Sequence, residues 1–178
     1  MNLILFGFKG VGKTYFGQLL AKELNLPFID TDALLEELFA KKTTYPLPIR
    51  KIYATLGEKQ FRLLEKETLQ TLENVQNSVI ALGGGAILTS RNGEFLRKIG
   101  TLVYLQASAA AIKQRIFKEG VPSFLDSKDP DGSFLKMFQA REPIYESIPA
   151  RRVDTDGLSK EDILNKLRSM IEVPQNGF

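Results

Sequence analysis

The stretch Gly7-Phe8-Lys9-Gly10-Val11-Gly12-Lys13-Thr14 limits what this chain can fold into more than any other. It directly follows the apolar run Leu3-Ile4-Leu5-Phe6 and precedes Phe16, Leu19, Leu20 and Leu24, whose spacing marks one face of a helix. Strand, loop and helix in that order are the setting in which the pattern G-x-x-x-x-G-K-[ST] forms a phosphate loop. The glycines permit unusual φ angles and clear side chains from the anion's path, so that backbone N–H groups surround phosphate oxygens. The helix that follows directs its positive dipole end at the same place. On this reading Lys13 reaches the β- and γ-phosphates and the Thr14 hydroxyl ligates Mg²⁺. A glycine-rich turn that binds nothing is the alternative.

At 178 residues the chain is long enough for one well-buried core and short for two, so a single domain spanning residues 1–178 is expected. Hydrophobic content of 43% with 25% charged residues is ordinary for a soluble globular protein, and no run of about 18 apolar residues is present to span a membrane. Residues 1–6 read as a buried strand rather than a secretory leader, because a charged loop follows at once. Without cysteine there are no disulfides, thiolate metal sites or thiol nucleophile, and without histidine there is no imidazole base. A general base must be Asp, Glu, Lys or Tyr. A net charge of +3 with no basic stripe argues against nucleic acid and suits an anionic small molecule.

Short β-rich runs at 3–6, 27–30, 78–82, 101–105 and 151–154 alternate with longer helical patterns. Strands so nearly continuous in apolar residues are covered on both faces, which predicts a five-stranded parallel sheet with helices on either side. The second run ends in Asp30-Thr31-Asp32, two carboxylates at a strand's C-terminal end, where open α/β sheets bind ligands. One of the acids, or Thr31, could instead cap a helix over 33–39. Residues 41–48, with Pro46 and Pro48, read as a loop. A helix over 58–75 carries Arg62 four residues after Glu58 and three before Glu65, so both carboxylates can flank its guanidinium. The third run enters Gly83-Gly84-Gly85-Ala86, where backbone N–H groups are open to a ligand unless the glycines simply make a flexible turn. No acid ends that strand, which leaves Asp30 as the carboxylate that assists Mg²⁺. A helix over 108–118 is followed by a polar, Gly- and Pro-containing segment that is either a plain loop or a closing lid over about 118–132. Arg141 lies on the apolar face of the next helix, a last amphipathic helix covers 160–171, and 173–178 read as a loosely held tail.

Together, the phosphate loop, Asp30-Thr31-Asp32, Gly57-Glu58-x-x-Phe61-Arg62-x-x-Glu65, Gly83-Gly84-Gly85-Ala86 and Arg141-x-Pro143-x-Tyr145 resemble shikimate kinase, from the first strand to about Thr155. The resemblance implies a P-loop NTPase fold of the nucleoside monophosphate kinase type, with a mobile lid and a substrate-binding helical region over about 32–65. It implies that Gly10, Val11, Gly12, Lys13, Thr14 and Tyr15 bind ATP, with Arg115 and the loop 152–157 near the adenine. It places Thr14 on Mg²⁺, with Asp30 near the metal through water. Asp32 would orient or deprotonate the attacking hydroxyl, with Lys13 as the other catalytic group. Arg62 and Arg141 would hold the substrate carboxylate, beside Gly83, Gly84 and Gly85. Glu65 would orient Arg62, and Tyr53 and Phe61 would line the pocket. The expected partners are ATP and shikimate, bound by a cytoplasmic monomer that engages neither nucleic acid nor membrane.

One position departs from that family pattern. Pro122 stands where a lid arginine would reach the ATP phosphates, a contact that can be worth about 10³ to 10⁵ in rate. Lys118 or Lys128 from the same segment is the expected replacement. The alternatives are another small-metabolite or nucleoside monophosphate kinase, and an ATP-binding module with impaired catalysis.

Overall fold

The computed structural model describes residues 1–118, 120–121 and 124–171. Five strands, β1 (Asn2–Phe6), β2 (Phe28–Asp30), β3 (Val79–Ala81), β4 (Gly100–Gln106) and β5 (Arg151–Asp154), form one sheet in the order β2-β3-β1-β4-β5. All neighbours run parallel, and Leu3 on the central strand pairs with Val79 on one side and Thr101 on the other. Every residue of β1 is buried, Leu3 to Phe6 as apolar residues covered on both faces and Asn2 with its Nδ2 donating to the carbonyls of Val75 at 2.6 Å and Ile99 at 2.9 Å. The helices are α1 (Lys13–Glu23), α2 (Thr31–Thr43), α3 (Ile49–Gln70), α4 (Ser90–Ile99), α5 (Ala109–Phe117), α6 (Pro130–Ser147) and α7 (Lys160–Ile171). The chain winds one way across the sheet from β1 to β2 and the other way from β2 onward. Right-handed crossovers therefore put helices on both faces, and the α/β architecture expected from the sequence holds.

Two apolar clusters result. The larger gathers β1, β3 and β4 with Leu20 of α1, Phe134 and Tyr145 of α6, and Leu167 of α7. A smaller one, Leu35 and Phe39 of α2 with Ile52, Phe61 and Leu64 of α3, lies between those two helices alone.

Several element boundaries differ from expectation. Helix α2 continues through Lys41 and Lys42, whose charges suit a helix C-terminus, and stops where Thr44 turns left-handed at φ 63°. Helix α3 begins at Ile49, immediately after Pro48, and is interrupted at Gly57, where φ 69° and ψ 170° are not helical. Nothing stands within 4 Å of a Cβ placed on Gly57, so the demand there is conformational, not steric. The helix ends at Gln70, and turns carry the chain on to Val75. Helix α4, over 90–99, was not expected. It is held by buried Leu96 and by Asn92 Nδ2 donating to the Ala86 carbonyl at 2.7 Å. Helix α6 takes in Pro130 to Gly132, the end of the expected lid, because Asp129 caps it through the Gly132 N–H at 2.9 Å. The expected tail lies outside the described residues.

Tyr104 and Tyr145 pack with ring centroids 5.8 Å apart, and burial pushes each phenol up to about 12. A phenol held neutral by the fold contributes stability that is complete below its ordinary value near 10 and is lost as pH rises toward 12. The melting temperature is therefore expected to fall between pH 10 and 12, and to fall less steeply in Tyr104→Phe. Equal slopes in thermal melts of the two proteins would refute this.

Candidate active site

Because all five strands are parallel, their C-terminal ends gather at one edge of the sheet, and the phosphate loop leaves β1 at its middle. A Cβ on Gly7 would collide with the Leu105 carbonyl oxygen, so only glycine lets the loop pass that close to β4. Gly12 precedes α1 with φ 105°, a left-handed conformation that side chains other than glycine rarely adopt. Lys13 turns back over the loop and donates to the carbonyls of Gly7 at 2.9 Å and Phe8 at 3.0 Å. Burial lowers its ammonium to about 8, against the pull of Asp32 and Asp30. Tyr15 is exposed just beyond it.

The Asp30-Thr31-Asp32 turn uses all three side chains. Asp30 accepts from the Thr14 hydroxyl at 2.9 Å through one carboxylate oxygen, and from the Asp32 N–H at 3.0 Å through the other, which caps α2. Capping and a role beside the phosphate loop thus coexist in one residue. Thr31 accepts from the Gly83 N–H at 2.8 Å and ties the turn to the end of β3. Asp32 is left pointing inward, its carboxyl raised by burial and by Asp30 and lowered in turn by Lys13 and Lys9.

The three glycines after β3 make room for side chains of this site. A Cβ on Gly83 would meet Asp32 Oδ1, and one on Gly85 would stand 2.6 Å from Arg62 Nη1. Gly84 faces Arg141, with Nη1 3.8 Å from where its Cβ would be, and its carbonyl accepts from the Tyr145 hydroxyl at 2.5 Å. Arg62 pairs with both oxygens of buried Glu65, at 3.1 and 3.0 Å. Burial raises the Glu65 carboxyl and the Arg62 charge opposes it. Glu58, expected as a second flank, is exposed at the Gly57 break and forms no ion pair with Arg62.

These groups enclose a cavity of about 550 Å³. Asp32, Arg62, Glu65, Gly84, Gly85 and Arg141 line its floor, and Tyr53 and Phe61, 5.1 Å apart edge to face, form an apolar wall. Gly83 stands behind Asp32 and is not exposed to the cavity. On the other side of the phosphate loop, Arg115 spans from the Val11 carbonyl to Thr155 and Asp156. Gly10, packed toward Ile116, and buried Val11 complete that side, whereas Arg152 turns away to the Glu146 carbonyl at 2.7 Å. Lys9, Arg50, Phe124 and Met137 also line the cavity and were not anticipated. Lys9 could have been flagged as a cation inside the phosphate loop, but Phe124 carries no sequence signal. Pro122 lies outside the described residues.

The Thr14 hydroxyl and Asp30 carboxylate are hard oxygen donors side by side at the foot of the phosphate loop. Among the described residues no group of three or more His, Cys, Asp or Glu is placed to hold a metal ion. That donor set fits Mg²⁺, which takes one or two protein oxygens and fills its shell with water and substrate phosphates. Among the described residues no helix is long and apolar enough to cross a membrane.

A family model described as Shikimate kinase matches residues 9–172. The chain is 32% identical over 176 residues to the shikimate kinase of Thermodesulfovibrio yellowstonii, covering 99% of this chain and 98% of that one. Its fold superposes on shikimate kinase from Bacteroides thetaiotaomicron with a TM-score of 0.82 at 27% identity, covering 97% of this chain and 99% of that one. Against shikimate kinase from Acinetobacter baumannii, solved in complex with shikimate, the TM-score is 0.81 at 30% identity, covering 96% and 92%. On the match over residues 9–172 and that near full-length identity, the chain belongs to the shikimate kinase family.

Proposed function

We propose that this protein transfers the γ-phosphoryl group of ATP to the 3-hydroxyl of shikimate, the kinase step of aromatic amino-acid synthesis. The observation that carries the reading is the cavity beside the phosphate loop, lined by the Asp32 carboxylate and by two arginines, Arg62, already paired with Glu65, and Arg141. A planar carboxylate suits guanidinium forks, and a hydroxyl elsewhere on the same ring can then lie against Asp32. Tyr53 and Phe61 offer an apolar wall to the ring.

In the reaction the bond from the γ-phosphorus to the bridging oxygen breaks, and a bond from the acceptor oxygen to that phosphorus forms. The hydroxyl proton passes to Asp32 or to solvent, and ADP leaves. Phosphoryl transfer needs positioning and charge stabilisation above all. Lys13, set by the Gly7 and Phe8 carbonyls, and the loop N–H groups supply both on the nucleotide side, with Arg115 beside the adenine. Arg62, braced by Glu65, and Arg141 fix the acceptor, with the Gly84 backbone against its ring. Thr14 and Asp30 are the residues to hold Mg²⁺, which when bound neutralises phosphate charge. A cytoplasmic monomer is part of the same reading.

ADP release by the purified protein, with Mg²⁺ and ATP, is expected to rise sharply with shikimate and not with gluconate, AMP or no acceptor. A response to gluconate or AMP in place of shikimate would overturn the substrate, and no response to any acceptor would overturn the kinase reading.

A further inference from the structure

The phosphate loop carries two lysines, and they face different sides of it. Lys13 is turned onto the loop's own carbonyls and does not line the acceptor cavity, whereas Lys9 does. The backbone N of Lys9 stands 3.8 Å from where a Gly84 Cβ would be, so the loop abuts the glycine turn at this residue. Its ammonium lies 4.8 Å from the centre of the Phe124 ring, and the Arg50 guanidinium carbon lies 5.7 Å from the same centre. Among the described residues Lys9 forms no ion pair. Lys9 and Asp32 line the same cavity, and the Lys9 charge, with that of Lys13, lowers the Asp32 carboxyl against the effect of burial.

The charge count of the cavity points the same way. Lys9, Arg50, Arg62 and Arg141 line it against Asp32 and Glu65, four cations to two carboxylates. A phosphorylated acceptor, at about −3, carries more negative charge than the unphosphorylated one, at about −1, and gains more from a lining rich in cations. Burial and Arg50 lower the Lys9 ammonium below its ordinary value, as expected of a cation short of an anion. Lys118 and Lys128, the lid lysines considered in place of an arginine at position 122, do not line the cavity.

We propose that Lys9 contacts the phosphoryl group on its acceptor side, during transfer and after its arrival, and so supplies from the phosphate loop a charge that Pro122 cannot. The proposal rests on the kinase reading above. Lys9 makes or breaks no bond in the step; its ammonium leaves the Phe124 face for the phosphoryl oxygens.

Lys9→Met keeps the length and the packing on Phe124 while removing the charge, and Lys9→Arg restores a cation. With Lys9→Met, kcat and the affinity for shikimate 3-phosphate are each expected to fall about 10- to 100-fold, the range for one hydrogen bond to a charged group. Shikimate and ADP affinities should stay within about two-fold, and Lys9→Arg should recover much of the loss. Unchanged kcat and product affinity in Lys9→Met would overturn the proposal, as would a loss confined to shikimate affinity. Calorimetric titration of inorganic phosphate into the ADP-loaded protein reads Lys9 without any turnover. A weaker phosphate signal in Lys9→Met supports the role, and equal signals or none in the wild type count against it. Failure of the wild type to use shikimate would sink the substrate reading alone, because the phosphate titration still decides on Lys9.

Discussion

Lys13→Met is expected to lower kcat by about 10³-fold or more while the protein stays folded. The ammonium of Lys13 lies against the phosphate loop's own backbone, where the carbonyls of Gly7 and Phe8 hold it before any nucleotide arrives. Charge held in place in advance needs no rearrangement when the transferred group develops charge, and that is where such groups contribute most. Stability should change little, for two effects oppose each other. The Gly7 and Phe8 carbonyls lose a donor, at about 1 kcal/mol each. Against this, burial already disfavours the charged form of Lys13, so removing that charge recovers part of the loss. Steady-state kinetics with thermal melts separates the two. A kcat within ten-fold of wild type, at an unchanged melting temperature, would remove Lys13 from the catalytic groups.

Asp32→Asn is expected to lower kcat by about 10²- to 10⁴-fold if the carboxylate accepts the hydroxyl proton, since amide and carboxylate share shape and differ in basicity. Shikimate affinity should hold within a few-fold, because Arg62 and Arg141 remain. Near-normal turnover would restrict Asp32 to positioning. Gly83→Ala tests the same group from behind. The new methyl would occupy the place of Asp32 Oδ1, and the carboxylate must turn aside. Displacement of a reacting group by about 1 Å can cost 10²-fold, so kcat should fall with ADP affinity unchanged. Full activity of Gly83→Ala would mean that the orientation of Asp32 is immaterial.

What could be read from the sequence was whatever is local. β1, β3 and β4 announced themselves as short apolar runs, whereas β5 has Val153 as its one apolar residue, and Lys13, Thr14, Asp30 and Asp32 stood just beyond strand ends, where open α/β sheets bind ligands. Arg62 and Glu65 were readable as a pair because three residues bring side chains to one helix face. Helix α4 was not readable, since Gly93 and a polar sequence hide a segment that tertiary packing of Leu96 holds. The first half of α3 carried a signal, apolar residues at 49, 52, 53 and 56, but Pro46 and Pro48 just before it suggested a loop. The glycine turn was read as openness to a ligand. Its further reason, space for Asp32 at Gly83 and for Arg62 at Gly85, depends on contacts across the fold that no spacing encodes. Phe124 over Lys9 is hidden for the same reason.

The division of the apolar interior has a consequence for how a ligand holds the molecule together. Arg62 stands beside a cluster of five buried side chains in α2 and α3, which Leu69 near the end of α3 and Leu34 of α2 tie to the main cluster, whereas Arg141 extends from a helix anchored in the main cluster by Phe134, Phe138 and Tyr145. So few side chains cannot give α2 and α3 the resistance to opening that the sheet enjoys. A carboxylate gripped by both arginines is therefore a rivet across a seam. It ties the weaker body to the stronger, so that acceptor binding lends α2 and α3 a rigidity their own packing does not provide.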